Sequence, residues 1–293
     1  MKKEGKITQT FTLISFLAAL AVESVLIVLA GAMHGDKQIS DAGFIYASFG
    51  IPQVCYMLSI TVFAVVWRIP ATEFFRPKNI RPLPYAYMLL IAFGMFFFAL
   101  LPNFYLQKAF DLSGSKSTVV LPPLRSAGEI AAAVFFICVL PAIGEELVFR
   151  KTFCEGMEGN NEWVTIALGG LFFSLSHMNL VQTVHQFVLG CVLCFLYIRT
   201  RNITLTMIVH FLNNLFAVFL ESWTEGKVDW KSPMVLGVAF AIGLVLLAAG
   251  VYVTLRNTKK SPKGAGKIEA YTIVLLAIVG VLWIVSVTSS FFS

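Results

Sequence analysis

Residues 127–153 read AGEIAAAVFFICVLPAIGEELVFRKTF. From Ile130 to Gly144 no side chain carries a charge. A run of this kind, at about 20 residues, crosses a hydrocarbon core of about 30 Å as one helix. Yet Glu145, Glu146 and Arg150 stand inside it. Each charge at the centre of a bilayer costs at least ~2.5–3.5 kcal/mol on insertion scales, so all three need a structural or chemical reason.

Apolar runs recur on both sides, at roughly 10–33, 43–67, 85–106, 163–178, 182–198, 203–221, 234–255 and 269–291. They do not alternate as barrel strands do. Over 293 residues, 58% are hydrophobic and 13% charged, with a mean hydropathy of +0.81. A soluble domain has roughly 45–50% apolar and about 25% charged residues. The expected fold is all-α, a polytopic transmembrane helical bundle of about 8–9 spans. Residues 1–124 supply N-terminal membrane helices, 125–220 a helical core holding the polar residues, and 221–293 C-terminal membrane helices. The first run follows Lys2, Lys3 and Lys6 but is too long for a signal peptide and lacks a small-residue cleavage site, so it reads as a first span.

The net charge of +6 does not point to nucleic acid, because the basic residues cluster in loops between spans. With the N-terminus placed inside, 16 of the 22 Lys and Arg fall on that side. That excess favours a cytoplasmic N-terminus and, with nine spans, an outside C-terminus. The five cysteines lie in or beside apolar runs, and the pair Cys191 and Cys194 is expected to pack as small hydrophobes rather than to form a redox motif.

Helix geometry sorts the polar residues. Glu146 and Arg150 are i,i+4 with the acid first, the favourable order for an ion pair. Glu145 lies about 140° round the helix from Arg150 at 100° per residue, so it is free to point elsewhere. Phe173 and His177 share a face, as do His210 and Asn214. Asn213 points about 100° away from Asn214, so the two are not expected to face one cavity. Glu129 sits at the opening of its span within reach of water. His185 reads as a packing histidine near a span end, and Glu23 has no assigned role. If Arg150 is neutralised inside the bundle, Glu145 lies about 15 Å deep, at 1.5 Å per residue from a boundary near Glu155 and Glu158. Pro141 and Gly144 are expected to kink or open the helix just before the acids. A desolvated carboxylate has raised basicity and can act as a general base toward water. A tetrahedral intermediate then needs fixed donors in a dry site.

The series Glu145–Glu146–x–x–x–Arg150, Phe173–x–x–x–His177 and His210–x–x–x–Asn214, in order and each in an apolar helix, resembles the CAAX-protease and bacteriocin-processing (CPBP/Abi) family. These are intramembrane proteases related to the type II CAAX prenyl endopeptidase. The resemblance covers roughly residues 125–220 and implies that Glu145 activates water and His177 holds it. It assigns the oxyanion to His210 and Asn214, and site organisation to Glu146, Arg150 and Phe173. The family often has Gly after the motif arginine, where this chain has Lys151.

The function expected on these grounds is an intramembrane endopeptidase of the glutamate type, acting on a membrane-associated peptide or protein (CAAX-type or bacteriocin/leader-peptide processing). The alternatives are a non-catalytic immunity or scaffold protein of the same fold and, behind it, a transporter. No cofactor is expected and no HExxH zinc pattern occurs, although two His and one Glu could still form a catalytic Zn²⁺ triad. The expected partners are that substrate and the lipid bilayer, with no nucleic acid and no signal of oligomeric state. The expected location is the bacterial plasma membrane, as a multi-pass protein.

Overall fold

The computed structural model describes residues 11–12, 14–22, 24–25, 29, 42–66, 68–75, 83–114, 121–122, 124–259 and 268–291. Most of the span expected at 10–33 is helical where described, while Glu23 and Lys2, Lys3 and Lys6 lie outside these residues. Every other expected span is a helix. In chain order they are α1 (Ala42–Val66), the short α2 (Ala71–Phe75), α3 (Leu83–Leu112), α4 (Ala127–Cys154), α5 (Glu162–Ser176), α6 (Thr183–Thr200), α7 (Ile203–Thr224), α8 (Pro233–Asn257) and α9 (Ala270–Ser289). Among the described residues seven of these helices are long and apolar enough to cross a membrane, and no strand occurs. The protein is an integral membrane helical bundle. At 15 residues α5 is about 22 Å long, short of a hydrocarbon core of about 30 Å. It therefore ends inside the bundle, and His177 follows its last residue there.

Burial is graded across the bundle. Of the apolar window of α6, 72% is buried, against 17% for α9, so α6 is the central helix and α9 is peripheral. Val245 on α8, Val281 and Val285 on α9, and Leu58 and Val62 on α1 are exposed, as expected of side chains that meet lipid tails. Inside, Phe149 and Phe153 of α4 meet Phe172 of α5 at ring-centroid distances of 4.8 and 5.1 Å. This aromatic contact packs the acid-bearing helix against the His177 helix.

Helix α4 begins with a reciprocal cap. Ser126 Oγ accepts from the Glu129 N–H at 3.2 Å, and Glu129 Oε2 accepts from the Ser126 N–H at 3.0 Å. The Glu129 charge thus satisfies helix-end donors. Beyond it the helix is not uniform. Residues 134–139 and 147–154 are π-helical and flank an α-helical stretch, Leu140–Glu146, that holds Pro141, Gly144 and both acids. The expected opening near Pro141 takes this form: i→i+5 bonding on both sides shifts the register of the side chains between.

Two close approaches set the site. At Gly144 an added Cβ would stand 3.2 Å from the Gln53 backbone, so α1 and α4 touch there. Helices α5 and α6 cross at Gly170 and Gly190, where a Cβ on Gly190 would lie 2.9 Å from Gly170 Cα and 2.9 Å from Phe173 Cβ. Small residues let membrane helices meet backbone to backbone. The turn after His177 is braced by α9, where Ser286 Oγ donates to the Met178 carbonyl at 2.7 Å and Trp283 Nε1 donates to Thr183 Oγ1 at 3.2 Å. At one end of the bundle Glu155, Glu158 and Glu162 pair with Lys151, Arg201 and Arg199. All five cysteines are free thiols; Cys194 faces Cys154 at 2.7 Å rather than Cys191.

Overpacking a tight membrane crossing costs about 1–3 kcal/mol. Gly190→Leu is expected to lower the unfolding midpoint in detergent accordingly and to displace α5. Gly237→Leu on α8, where an added Cβ meets nothing within 4 Å, is expected to leave the midpoint unchanged.

Candidate active site

The acids of α4 divide as their spacing predicts. Glu146 is fully buried and accepts from Arg150 Nε at 3.0 Å, with Arg150 equally buried. Arg150 Nη1 and Nη2 have no hydrogen-bond partner among the described residues. The guanidinium lies instead over the Phe173 ring, 4.8 Å from its centroid, with Phe149 at 5.9 Å. A dry cation gains from an aromatic face where no further acceptor is present. Phe173 also packs on the rings of His177 and His210 at 4.8 and 5.7 Å, so it separates the buried cation from both imidazoles.

Helix α7 brings His210 between the two acids. Its Nδ1 lies 3.1 Å from Glu146 Oε1 and its Nε2 3.7 Å from Glu145 Oε2. A carboxylate only accepts, so Nδ1 carries a proton toward Glu146. Glu145 is buried and receives Gln53 Nε2 on Oε1 at 2.8 Å. Its Oε2 has no hydrogen-bond partner among the described residues. His177 places Nδ1 2.7 Å from the Phe173 carbonyl one turn back. Since a carbonyl cannot donate, Nδ1 holds the proton and Nε2 keeps its lone pair.

Asn214 has a structural partner. Pro141 has no N–H to give to the carbonyl four residues back, Ile137. Asn214 Nδ2 donates to that carbonyl at 3.2 Å. The amide thereby fastens α7 to the opened part of α4 and keeps one further N–H.

Glu145, His177, His210 and Asn214 all line one cavity of about 480 Å³. Two sequence expectations need correction. Asn213 lines the same cavity as Asn214, because the space is wide enough to take neighbouring residues of α7 on two of its walls. His185 is buried and hydrogen-bonded, as expected of a packing histidine, but it sits in the cavity wall, its Nε2 3.3 Å from Asn213 Oδ1, rather than apart from the site. Asn213 Nδ2 in turn contacts Asn214 Oδ1 at 3.4 Å. Gln53 and Asn103 escaped notice because they lie on α1 and α3, outside the polar core read from the sequence. Each directly follows a proline inside an apolar run, Pro52 and Pro102, and that pairing is the signal that could have found them.

A zinc triad of Glu145, His177 and His210 would need three ligand atoms converging on one point. Among the described residues no three His, Cys, Asp or Glu side chains are grouped closely enough to hold a metal.

Residues 127–216 match the family model described as Rce1-like, type II CAAX prenyl endopeptidase Rce1-like. No curated protein and no solved structure matches the chain. The matched segment runs from the first residue of α4 to two residues past Asn214, and so contains both acids, Arg150, His177, His185 and His210 but not Gln53 or Asn103. With a residue of each of its three motifs on one cavity, the segment 127–216 is similar to the Rce1-like type II CAAX prenyl endopeptidases over about a third of the chain.

Proposed function

We propose that the chain is an intramembrane endopeptidase that hydrolyses a peptide bond of a membrane-associated protein or peptide through water activated by Glu145 and His177. The observation that carries this is the buried carboxylate of Glu145, held at Oε1 by Gln53 while Oε2 stays unpaired beside His210 on the cavity. An unpaired buried acceptor costs about 1–3 kcal/mol. A scaffold has no use for that cost, whereas a general base needs a free lone pair.

In this mechanism water lies between Glu145 Oε2 and His177 Nε2. Glu145 takes a proton as the water oxygen adds to the scissile carbonyl carbon. The resulting oxyanion receives hydrogen bonds from the free N–H of Asn214 and from His210 Nε2, a donor role that asks for a proton on both ring nitrogens. The C–N bond then breaks and Glu145 returns its proton to the departing amine, leaving a carboxylic acid and an amine. Glu146 and Arg150 do no bond chemistry; they fix His210 and Phe173. No metal takes part. The substrate is a prenylated CAAX-type C-terminus or, in a bacterial setting, a leader peptide or bacteriocin. The loop charges support a cytoplasmic N-terminus, and this reading places the protein in a bacterial plasma membrane.

Removing a general base typically lowers the rate by about 10²–10⁴-fold. Glu145→Gln, His177→Ala and His210→Ala are each expected to lose cleavage of a membrane-embedded peptide on that scale with folding intact, and unchanged cleavage in all three would falsify the mechanism. Chelators are expected to leave cleavage unaffected; inhibition reversed by added zinc would instead establish a metal site. Glu146→Gln should behave differently from Glu145→Gln. It leaves the Arg150 charge buried and unpaired, which costs roughly 3–5 kcal/mol. Its unfolding midpoint is expected to drop sharply, while that of Glu145→Gln stays near wild type.

A further inference from the structure

A second hollow, of about 420 Å³, lies between α1 and α4 beyond the Gln53–Glu145 hydrogen bond. Ile60 and Ala64 of α1, Phe74 of α2, and Ile143 and Leu147 of α4 line it, and Arg68 stands among its lining residues at the end of α1. Its wall is almost wholly apolar. Among its described lining residues the one hydroxyl, on Thr61, is spent within the helix on the Met57 carbonyl at 2.8 Å. From Met57 to Val65 the groove follows about 12 Å of helix, at 1.5 Å per residue. Val62 and Val65 beside it are exposed, so this face of α1 meets lipid.

Arg68 marks the polar end of the groove. The chain leaves α1 there with φ 54°, fixed by bonds from the Arg68 N–H to the Val65 carbonyl at 3.2 Å and from the Ile69 N–H to the Ala64 carbonyl at 2.8 Å. Its side chain is exposed, and no carboxylate pairs with it among the described residues. In sequence it opens a loop to Pro84 that holds Arg68, Arg76, Lys78 and Arg81 against one acid, Glu73. Basic clusters directly beside a membrane span attract anionic lipid headgroups.

We propose that this groove binds an anionic phospholipid, with one acyl chain laid along Ile60 and Ala64 against Ile143 and Leu147 and the phosphate on Arg68. An apolar channel open to hydrocarbon and an unpaired cation at its membrane-boundary end fit the two halves of such a lipid. Ile143 and Leu147 flank Glu145 and Glu146 on α4, so the bound chain also braces the helix that carries both acids.

Native mass spectrometry of the full chain in mild detergent tests this, with phosphatidylglycerol and phosphatidylcholine of identical acyl chains. Phosphatidylglycerol should be retained at least tenfold more than phosphatidylcholine. Arg68→Gln, a change at an exposed position, should bring it down to the phosphatidylcholine level, and Ala64→Phe, which fills the groove, should remove both. Equal retention of the two lipids, or retention of phosphatidylglycerol unchanged in Arg68→Gln, overturns the proposal. So does displacement of phosphatidylglycerol by a lipid-modified peptide that is itself held more tightly, since the groove would then belong to a substrate.

Discussion

A guanidinium and a carboxylate sealed together in the middle of a lipid-embedded bundle set the terms for the rest of the structure. Arg150 and Glu146 are both inaccessible to solvent, and neither could remain charged there alone. Their mutual attraction offsets the desolvation only if the remaining polar atoms are also accommodated. Glu146 Oε1 is met by His210 Nδ1, which pins α7 against α4. The outer guanidinium nitrogens have no hydrogen-bond partner among the described residues and rest on Phe173, which fixes α5. One ion pair thus registers three helices, and the histidines of two of them reach the cavity as a consequence.

The helix that carries this pair departs from regular geometry for related reasons. A uniform α-helix through Pro141 would leave the Ile137 carbonyl without its usual donor in a region where water cannot replace it. The chain answers with π-helical segments on both sides and with Asn214, which donates to that carbonyl from α7. The freed carbonyl is tolerated because it faces Asn214 rather than lipid. Asn214 therefore links the opened turn of α4 to the wall of the polar cavity.

Legibility in the sequence followed the range of the forces concerned. Spans were plain because hydropathy is summed over about 20 residues, and each expected helix within the described residues is present. The pairing of Glu146 with Arg150 was equally plain, since i,i+4 spacing fixes a contact within one helix. Contacts between helices were not. Angular separation along α7 suggested that Asn213 and Asn214 diverge, but it says nothing about how wide the space beside them is. His185 was read from one span alone, which gives no sign of the cavity it lines or of its partner Asn213 on α7. Gln53 lies 92 residues from its partner Glu145, and no pattern local to either residue connects them.

The Gln53–Glu145 contact shows how a membrane-buried carboxylate can be held by one oxygen and keep the other open. A carboxylate in hydrocarbon with both oxygens satisfied would be inert, and one with neither satisfied would be costly to retain. Gln53 satisfies Oε1, and Gly144 allows α1 close enough for that bond by removing the Cβ that would stand in the way. Oε2 is left enclosed between His210 and the cavity, without a hydrogen-bond partner among the described residues. Water reaching it must come through a space walled by amides and imidazoles, which can carry it by hydrogen bonds where the surrounding bilayer cannot. The amides of Asn103, Asn213 and Asn214 thus keep this space polar where the bilayer around it is not.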